Sequence, residues 1–387
     1  SIPFDKAPSI SSFHNSGESL SLIVTSKGDI NENFTVVDIN LETGESHISA
    51  PFSAKDHKAI IRKDKKNIIL FSNKEAMKIV EVINAETVKT IQVEFKEAHT
   101  DYLKELDSET LQAINTNEFV ANGSINSFKA YASNGSIYIT QDDTKKGETS
   151  VLEVPLDQGE KVTPVYQTYV TKDKRKKLST YLEDQKLFQL NLDKEKGDLN
   201  IIDLKNTDNT KTLDLFNTKP SKVSEGFTEM SNFFKQASKS ANKPTITVNK
   251  TNTENLVVRL DYVYKKNYGY QYDWWWHHQF MMHMWQHQQH IRATMPTSFG
   301  PSEPNDNGFE SKAEHHHFEL LINSNMDVID DDNYQTIYKD IDKKKHIDII
   351  EDNTNLKDAS SVFLDNELRY FGFDKPTKSF KVFTKKV

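Results

Sequence analysis

Residues 36–45 have the sequence VVDINLETGE, in which a run of β-branched residues is followed by a polar turn. Val and Ile favour strands, whereas Asn, Thr and Gly in close succession favour the tight turn of a hairpin. The same order recurs along the chain, as an apolar run and then a turn, at 77–83 and 84–87, 151–154 and 155–160, 188–192 and 193–197, 318–322 and 323–325, and 368–373 and 374–377. The chain is therefore predicted to consist of antiparallel hairpins.

The spacing of these hairpins predicts the architecture. They recur at roughly 40–55 residues, the range of propeller blades with four short strands each. An Asn-Gly-Ser-Ile sequence occurs at 122–125 and again at 134–137, which predicts successive hairpins there. Helical periodicity is confined to residues 103–114 and 225–238, outside the segment discussed below. We expect an all-β fold, a single propeller of about six to eight four-stranded blades spanning residues 1–387, with a pair of β-sandwiches as the alternative.

The composition excludes several classes of protein. The net charge of -8 does not indicate a nucleic-acid partner, and the absence of cysteine excludes disulfides and thiolate metal sites. The sequence contains no apolar stretch of the roughly 18 residues needed for a transmembrane helix. The first residues, Ser1 to Phe4, lack the pattern of a signal peptide and predict a processed or trimmed terminus.

The VVDINLETGE stretch and its weaker repeats resemble the outer hairpins of bacterial extracytoplasmic β-propeller proteins, including surface lipoproteins of the Bacteroidetes type. The resemblance is one of spacing, because the Gly-His and Trp-Asp pairs of WD repeats are missing. It implies an extracytoplasmic location, at the cell surface or in the periplasm. It also implies a possible lipid anchor through an N-terminal segment that is not present in this sequence.

One segment, at about residues 265–314, differs from the rest of the chain. All four tryptophans lie between Trp274 and Trp285, and eight of the thirteen histidines lie between His277 and His317. The segment separates two predicted strands, and a helix is predicted from about residue 273 to residue 295. We expect a partly helical insertion with two apolar sides, one covered by the propeller and the other by a partner protein, a membrane interface or a second copy of the chain.

The insertion supplies the candidate site residues. We expect contact with another protein, in a membrane-associated complex, through Trp274, Trp275, Met281, Met284 and Trp285. His283 and His287 have the i, i+4 spacing that lets two imidazoles bind one Zn²⁺ or Cu²⁺. The further metal candidates are His290, His315 and His317. Packing of these histidines against the aromatic helix is the alternative to a copper, zinc or haem site.

The predicted function follows from the insertion and from the motifs that the chain lacks. The sequence contains no His-Glu-x-x-His, Gly-x-Ser-x-Gly, phosphate-binding loop or dinucleotide fingerprint. We expect a non-catalytic binding or scaffold subunit of a bacterial cell-envelope assembly. The alternative is a copper-, zinc- or haem-binding protein that uses the insertion. A third possibility is an enzyme acting on a glycan or peptide at the propeller mouth.

Overall fold

A computed structural model gives the fold. It describes residues 8–26, 33–63, 65–120, 123–223, 229–264, 317–338, 349–350, 356–364, 367–374, 376–377 and 379–386. Strands dominate these residues. The helices of more than one turn among them are α1 (Thr100–Ser108), which follows a 3₁₀ turn at Glu97–His99, and α2 (Met230–Ala237).

The strands form consecutive, mainly antiparallel sheets, numbered here as blades in chain order. Blade 1 contains β1 (Pro8–Asn15), β2 (Ser19–Ser26), β3 (Asn33–Asn40), β4 (Ser46–Ile48) and β5 (Phe52–Ser53). Blade 2 contains β6 (His57–Lys63), β7 (Lys66–Ser72), β8 (Met77–Val82) and β9 (Val88–Val93). Blade 3 contains β10 (Leu111–Ala113), β11 (Phe128–Ser133), β12 (Ser136–Asp143) and β13 (Glu148–Pro155).

Two more strands complete blades 2 and 3. They are β14 (Lys161–Val162), which pairs with β9, and β15 (Val165–Val170), which pairs with β13. Blade 4 contains β16 (Lys177–Glu183), β17 (Lys186–Leu192), β18 (Gly197–Asp203) and β19 (Thr210–Asp214).

Blades 5 and 6 occupy the C-terminal part of the chain. Blade 5 contains β20 (Lys222–Val223), β21 (Asn242–Lys250), β22 (Leu256–Tyr264), β23 (Phe318–Ile322) and β24 (Val328–Ile329). Blade 6 contains β25 (Leu356–Leu364), β26 (Glu367–Asp374) and β27 (Ser379–Lys386).

The sheets are arranged as the blades of a β-propeller. Within the described residues there are six of them, and neighbouring strands in most are consecutive in the chain. Strands of successive blades contact each other: β1 lies against β6, β6 against β10 and β11, β12 against β16, and β16 against β21. A succession of up-and-down sheets that pack against one another in chain order is the propeller architecture. The predicted all-β propeller is confirmed.

The hairpin turns form as the sequence predicts. Asn40 ends β3, and its side-chain oxygen accepts hydrogen bonds from the backbone N–H groups of Glu42 and Thr43, each at 2.9 Å. Asn84 makes the same arrangement between β8 and β9, with the N–H groups of Glu86 and Thr87. An Asn side chain that bonds to backbone groups two and three residues ahead fixes the turn locally.

Two of the predicted hairpins are corrected by the structure. Residues 155–160 belong to a longer connection than the sequence predicts, because β13 pairs antiparallel with β15 and the intervening β14 pairs in parallel with β9 of blade 2. Of the two Asn-Gly-Ser-Ile copies, Asn134 and Gly135 form the turn between β11 and β12, with φ angles of 48° and 74°. The described residues of the earlier copy, 123–125, precede β11, and Gly123 lies against β21, as described below.

The first predicted helix is also shorter than expected. The helix α1 ends at Ser108, and Leu111–Ala113 forms β10, which pairs in parallel with the start of β11. The apolar residues of 103–114 have helical spacing, but Leu111 is buried by a strand partner that lies 17 residues further along the chain. Tertiary pairing here overrides local propensity. The second predicted helix, 225–238, is confirmed at its core by α2.

Hydrophobic clusters join neighbouring blades. The largest contains residues of blades 3, 4 and 5 together with Phe233 and Phe234 of α2. A second joins blades 2 and 3 and includes Tyr102, Leu103 and Leu106 of α1. The third joins blades 1 and 2. In blades 1 to 5 the apolar faces of the sheets are therefore covered by adjacent sheets, which holds these blades together.

A buried carboxylate also ties blade 3 to blade 4. Asp142, near the end of β12, accepts hydrogen bonds from Lys129 Nζ at 2.5 Å and from the hydroxyl of Thr180 on β16 at 2.7 Å. The backbone N–H of Thr180 and the hydroxyl of Thr149 donate further bonds to it, each at 3.1 Å. Lys129 and Asp142 are almost fully buried. One carboxylate therefore connects four strands.

The blade 1–2 interface contains a neutral histidine instead. His14 Nε2 lies 2.9 Å from the carbonyl oxygen of Ile83, so this nitrogen carries the hydrogen. The other ring nitrogen accepts a hydrogen bond from Asn67 Nδ2 at 2.9 Å, and Asn67 Oδ1 accepts one from the hydroxyl of Ser12. Burial lowers the pKa of His14, against the opposing effects of the Ile83 carbonyl and of Asp38.

Candidate functional site

Most of the site residues predicted from the sequence lie outside the described residues. They are Trp274, Trp275, Met281, Met284, Trp285, His283, His287, His290 and His315. The predicted insertion at 265–314 lies outside them as well, as does the predicted helix at 273–295. The partner contact and the copper, zinc or haem site therefore stay predictions from the sequence.

His317 is the one predicted site residue that the structure describes. Its Nε2 lies 3.6 Å from Glu319 Oε1. The same carboxylate binds the guanidinium of Arg259 at 2.8 Å and accepts a hydrogen bond from the Tyr334 hydroxyl. Burial acts to raise the pKa of Glu319, but Arg259 and the Tyr334 hydroxyl outweigh it and lower the pKa overall. His317 thus borders an ion pair between β22 and β23, and no group of three metal-binding side chains occurs within the described ranges.

The strand β21 carries a row of buried polar side chains. Thr245 and Thr247 are 1% exposed and Asn249 is 7% exposed, so three polar side chains are buried along this strand. They alternate with Ile246 and Val248, which belong to the largest hydrophobic cluster. Because successive strand residues point to opposite faces, Thr245, Thr247 and Asn249 share one face. This face is called the β21 wall.

A segment of the chain lies against the β21 wall. It joins β10 to β11, and its described residues, 114–120 and 123–127, are called the inner segment. The backbone N–H of Val120 donates to Asn249 Oδ1 at 2.8 Å, and Asn249 Nδ2 donates to the carbonyl of Val120 at 3.0 Å. The Asn249 amide thereby makes the pair of hydrogen bonds that a neighbouring strand makes in a β-sheet.

The inner segment also contacts the wall at Gly123. A Cβ atom added to Gly123 would lie 2.6 Å from Thr245 Cβ, 2.7 Å from the carbonyl oxygen of Ile246 and 2.8 Å from the nitrogen of Ile246. Two of these atoms belong to the backbone of β21 and cannot move aside. Position 120 faces 249 and position 123 faces 245–246, so the inner segment runs antiparallel to β21 and leaves no room for a side chain at Gly123.

Between these two contacts the wall carries a hydroxyl that has no hydrogen-bond partner among the described residues. The Oγ1 atom of Thr247 is buried and makes no hydrogen bond to any described residue. By strand alternation it lies between Thr245 and Asn249 on the same face. An unpaired buried hydroxyl costs roughly 1–3 kcal/mol. The wall therefore has hydrogen-bonding capacity that the described part of the inner segment does not use.

The inner segment bridges blades that are not neighbours. On blade 2, Lys63 Nζ donates to Asn117 Oδ1 at 3.1 Å, and Asn117 Nδ2 donates to the carbonyl of Arg62 at 3.0 Å. On blade 5, the guanidinium of Arg259 lies 5.1 Å from the centre of the Phe119 ring. Blades 3 and 4 come between these two in the chain. The segment therefore connects blade 2 to blade 5.

Charged residues surround the end of the wall. Lys250, the last residue of β21, lies 3.3 Å from Glu183 Oε1 and 2.5 Å from Asp184 Oδ2, both at the end of β16. Burial raises the pKa of Glu183 to about 7, although Lys250 opposes the rise. A carboxyl group with this pKa exchanges its proton near neutral pH. This group of Glu183, Asp184 and Lys250 is called the rim.

Sequence reasoning missed the β21 wall. Residues 242–250 have the sequence NKPTITVNK, in which Thr, Thr and Asn occupy every second position beside Ile and Val. This alternation predicts a strand with one polar face, and such a face is normally assigned to solvent. Its burial depends on a segment 129 residues away in the chain, which no local pattern reveals.

Comparison with known proteins gives similarity of fold only. No model of a known protein family matches the chain, and no curated protein matches it. Among solved structures, the propeller domain of the trilobed protease from Pyrococcus furiosus has a TM-score of 0.34 and 11% identity, with 98% of this chain and 83% of that one covered. Prolyl oligopeptidase B from Galerina marginata has a TM-score of 0.35 and 10% identity, with 97% of this chain covered. Oligopeptidase B from Leishmania major has a TM-score of 0.31 and 10% identity, with 98% of this chain covered.

This chain spans only 42% of the Galerina enzyme and 39% of the Leishmania enzyme. The function predicted from the sequence was a non-catalytic binding or scaffold subunit of a bacterial cell-envelope assembly. That prediction is contradicted, because the similar propellers described above belong to peptidases. The likeness concerns the fold and transfers no activity to this chain. No helix among the described residues is long and apolar enough to cross a membrane.

Proposed function

We propose that this propeller binds polypeptide in an extended conformation along the β21 wall. One observation carries the proposal: the Asn249 amide bonds to both the N–H and the C=O of Val120. Every peptide offers these two groups at each residue other than proline. The wall therefore recognises a peptide backbone, and its own inner segment is the peptide that it holds here.

The balance of hydrogen bonds supports an exchange of one peptide for another. The Asn249–Val120 contact is neutral, so replacing one backbone by another leaves no uncompensated charge. The Thr247 hydroxyl has no partner among the described residues, and a peptide with a suitably placed acceptor or donor would provide one. Such a peptide would make one more hydrogen bond to the wall than the described residues of the inner segment make, and would therefore compete with the segment for the wall.

Polypeptide is also the class of molecule that peptidases act on, and the propellers of similar fold come from a protease and from prolyl oligopeptidases. The proposal itself stands on the Asn249 contact. The extracytoplasmic location and the lipid anchor remain predictions from the sequence.

The test measures peptide binding to a variant in which the inner segment has been displaced from the β21 wall. Gly123→Val places a side chain where Thr245 and the Ile246 backbone leave no room, and should expel the inner segment from the wall. A fluorescein-labelled peptide with the sequence of residues 118–126, EFVANGSIN, is then titrated and followed by fluorescence anisotropy. We expect saturable binding, weakened about tenfold by adding Asn249→Ala, because two neutral hydrogen bonds are lost.

The matched control for Asn249→Ala is Asn191→Ala. Asn191 is also buried, and its amide also donates to a backbone carbonyl, that of Asp173 at 2.6 Å, but it lies on blade 4 away from the wall. The substitution Asn191→Ala should therefore leave the affinity for the peptide unchanged. A folded Gly123→Val protein that does not bind the peptide contradicts the proposal. If that variant does not fold, millimolar peptide should raise the melting temperature of the unaltered protein and not that of Asn249→Ala.

A further inference from the structure

We infer that the β21 wall selects peptides that carry glycine three residues after the residue held by Asn249. The inference rests on the proposed function and specifies its ligand. In the structure Asn249 holds Val120, and the residue three positions later is Gly123. A Cβ atom there would meet the carbonyl oxygen of Ile246 at 2.7 Å and its nitrogen at 2.8 Å.

Backbone atoms make this selection strict. A side chain that obstructs a ligand can rotate to another conformer, but the Ile246 peptide is held in β21 by its pairing with Leu260 of β22. The Ile246 side chain is packed in the largest hydrophobic cluster, which also prevents the strand from moving back. A Cβ at less than 3 Å therefore forces the peptide backbone away from the wall, and the Asn249 bonds are stretched with it.

The contact does not depend on the positive-φ freedom of glycine. Gly123 does not have a φ in the left-handed region, unlike Gly135 in the turn between β11 and β12. The missing side chain, rather than an unusual backbone conformation, is what the wall requires. The wall should therefore discriminate between glycine and alanine by size alone, and each larger residue should be excluded as well.

The experiment compares three labelled peptides on the Gly123→Val protein and on the unaltered protein. The reference has the sequence of residues 118–126, and the test peptide has alanine in the position of Gly123. The control peptide has alanine in the position of Ser124 instead. We expect the test peptide to bind at least about tenfold more weakly than the reference, and the control peptide to bind within about twofold of it.

The outcomes separate this inference from the proposed function. If the reference and test peptides bind with the same affinity, the selection for glycine is wrong while the peptide-binding wall stands. If the control peptide loses as much affinity as the test peptide, the effect is not specific to the glycine position and the inference is again wrong. If no peptide binds to either protein, the proposed function fails and the selection fails with it.

Discussion

The interface between blades 3 and 4 and the β21 wall both bury polar side chains, but they satisfy them differently. Asp142 is bonded by Lys129, Thr180 and Thr149, which are all fixed in strands of the scaffold. Asn249 is bonded by the backbone of a segment that has no regular secondary structure at that point. A charged pair is costly to separate, whereas a neutral contact to a backbone can be replaced by any other backbone. The first arrangement builds the propeller, and the second is available to a ligand.

The largest effect should come from breaking the charged arrangement. Asp142→Asn leaves the Lys129 ammonium buried without a counter-charge, because the side chain of Lys129 is 2% exposed. Loss of one partner of a buried pair costs on the order of 3–5 kcal/mol. Urea denaturation should show a fall in the free energy of unfolding within that range.

Lys104→Ala is the control for this substitution. Lys104 forms an exposed pair with Asp101 on α1, and removing such a pair changes stability by at most about 0.5 kcal/mol. If Asp142→Asn costs no more than Lys104→Ala, the carboxylate is not the tie between the blades that the geometry indicates.

A second effect concerns Glu183, which belongs to both regions. It ends β16, the strand that carries Thr180, and it also contacts Lys250 at the end of the wall. Its pKa is about 7 in the folded protein and 4.5 ordinarily, so the folded state binds the proton more tightly. The free energy of unfolding should therefore fall as the pH rises from 4.5 to 7, by at most about 3 kcal/mol from this group.

Glu183→Gln should remove this decline and make the protein more stable than the unaltered one at pH 7.5. The measurement is urea denaturation at half-unit steps of pH, with the exposed Glu75→Gln as control. A profile for Glu183→Gln that is parallel to that of the unaltered protein would show that Glu183 ionises with its ordinary pKa, and that the rim does not bury the carboxyl group.

The smallest effect tests whether the buried Thr247 hydroxyl lacks a hydrogen-bond partner in the folded protein. Thr247→Val replaces a buried hydroxyl that has no described partner by a methyl group of similar size, and should stabilise the free protein by about 1 kcal/mol. Thr180→Val is the matched control, because its hydroxyl donates to Asp142 and its loss should destabilise. Thermal unfolding should move the two melting temperatures in opposite directions. A drop for Thr247→Val would mean that the hydroxyl is bonded in the folded protein.

The fold could be predicted from the sequence where a turn and its two strands are adjacent. The VVDINLETGE stretch specifies its hairpin through Asn40, whose side chain bonds to residues just ahead of it. Residues 155–160 carry similar turn chemistry, but the strand after them pairs with β9, roughly seventy residues earlier. Local composition predicts that a chain turns and does not predict which strand it meets next.

The candidate site could not be predicted from the sequence either, because it also depends on contacts between segments that are distant in the chain. Two copies of Asn-Gly-Ser-Ile look alike, yet Gly135 supplies a positive φ to a hairpin and Gly123 supplies space beside Ile246. The difference depends on a strand more than 100 residues away. The aromatic and histidine-rich segment has an unusual composition, whereas Asn249 and Thr247 are common residue types that are distinguished only by their burial in the folded protein.

The structure of the Gly123→Val protein with the peptide of residues 118–126 bound would test the central claim most directly. We predict that the peptide backbone replaces the inner segment on β21, with its valine N–H and C=O about 3 Å from the side-chain amide of Asn249. A peptide bound elsewhere on the propeller, or Val120 of the protein itself still bonded to Asn249, would contradict peptide binding by the β21 wall.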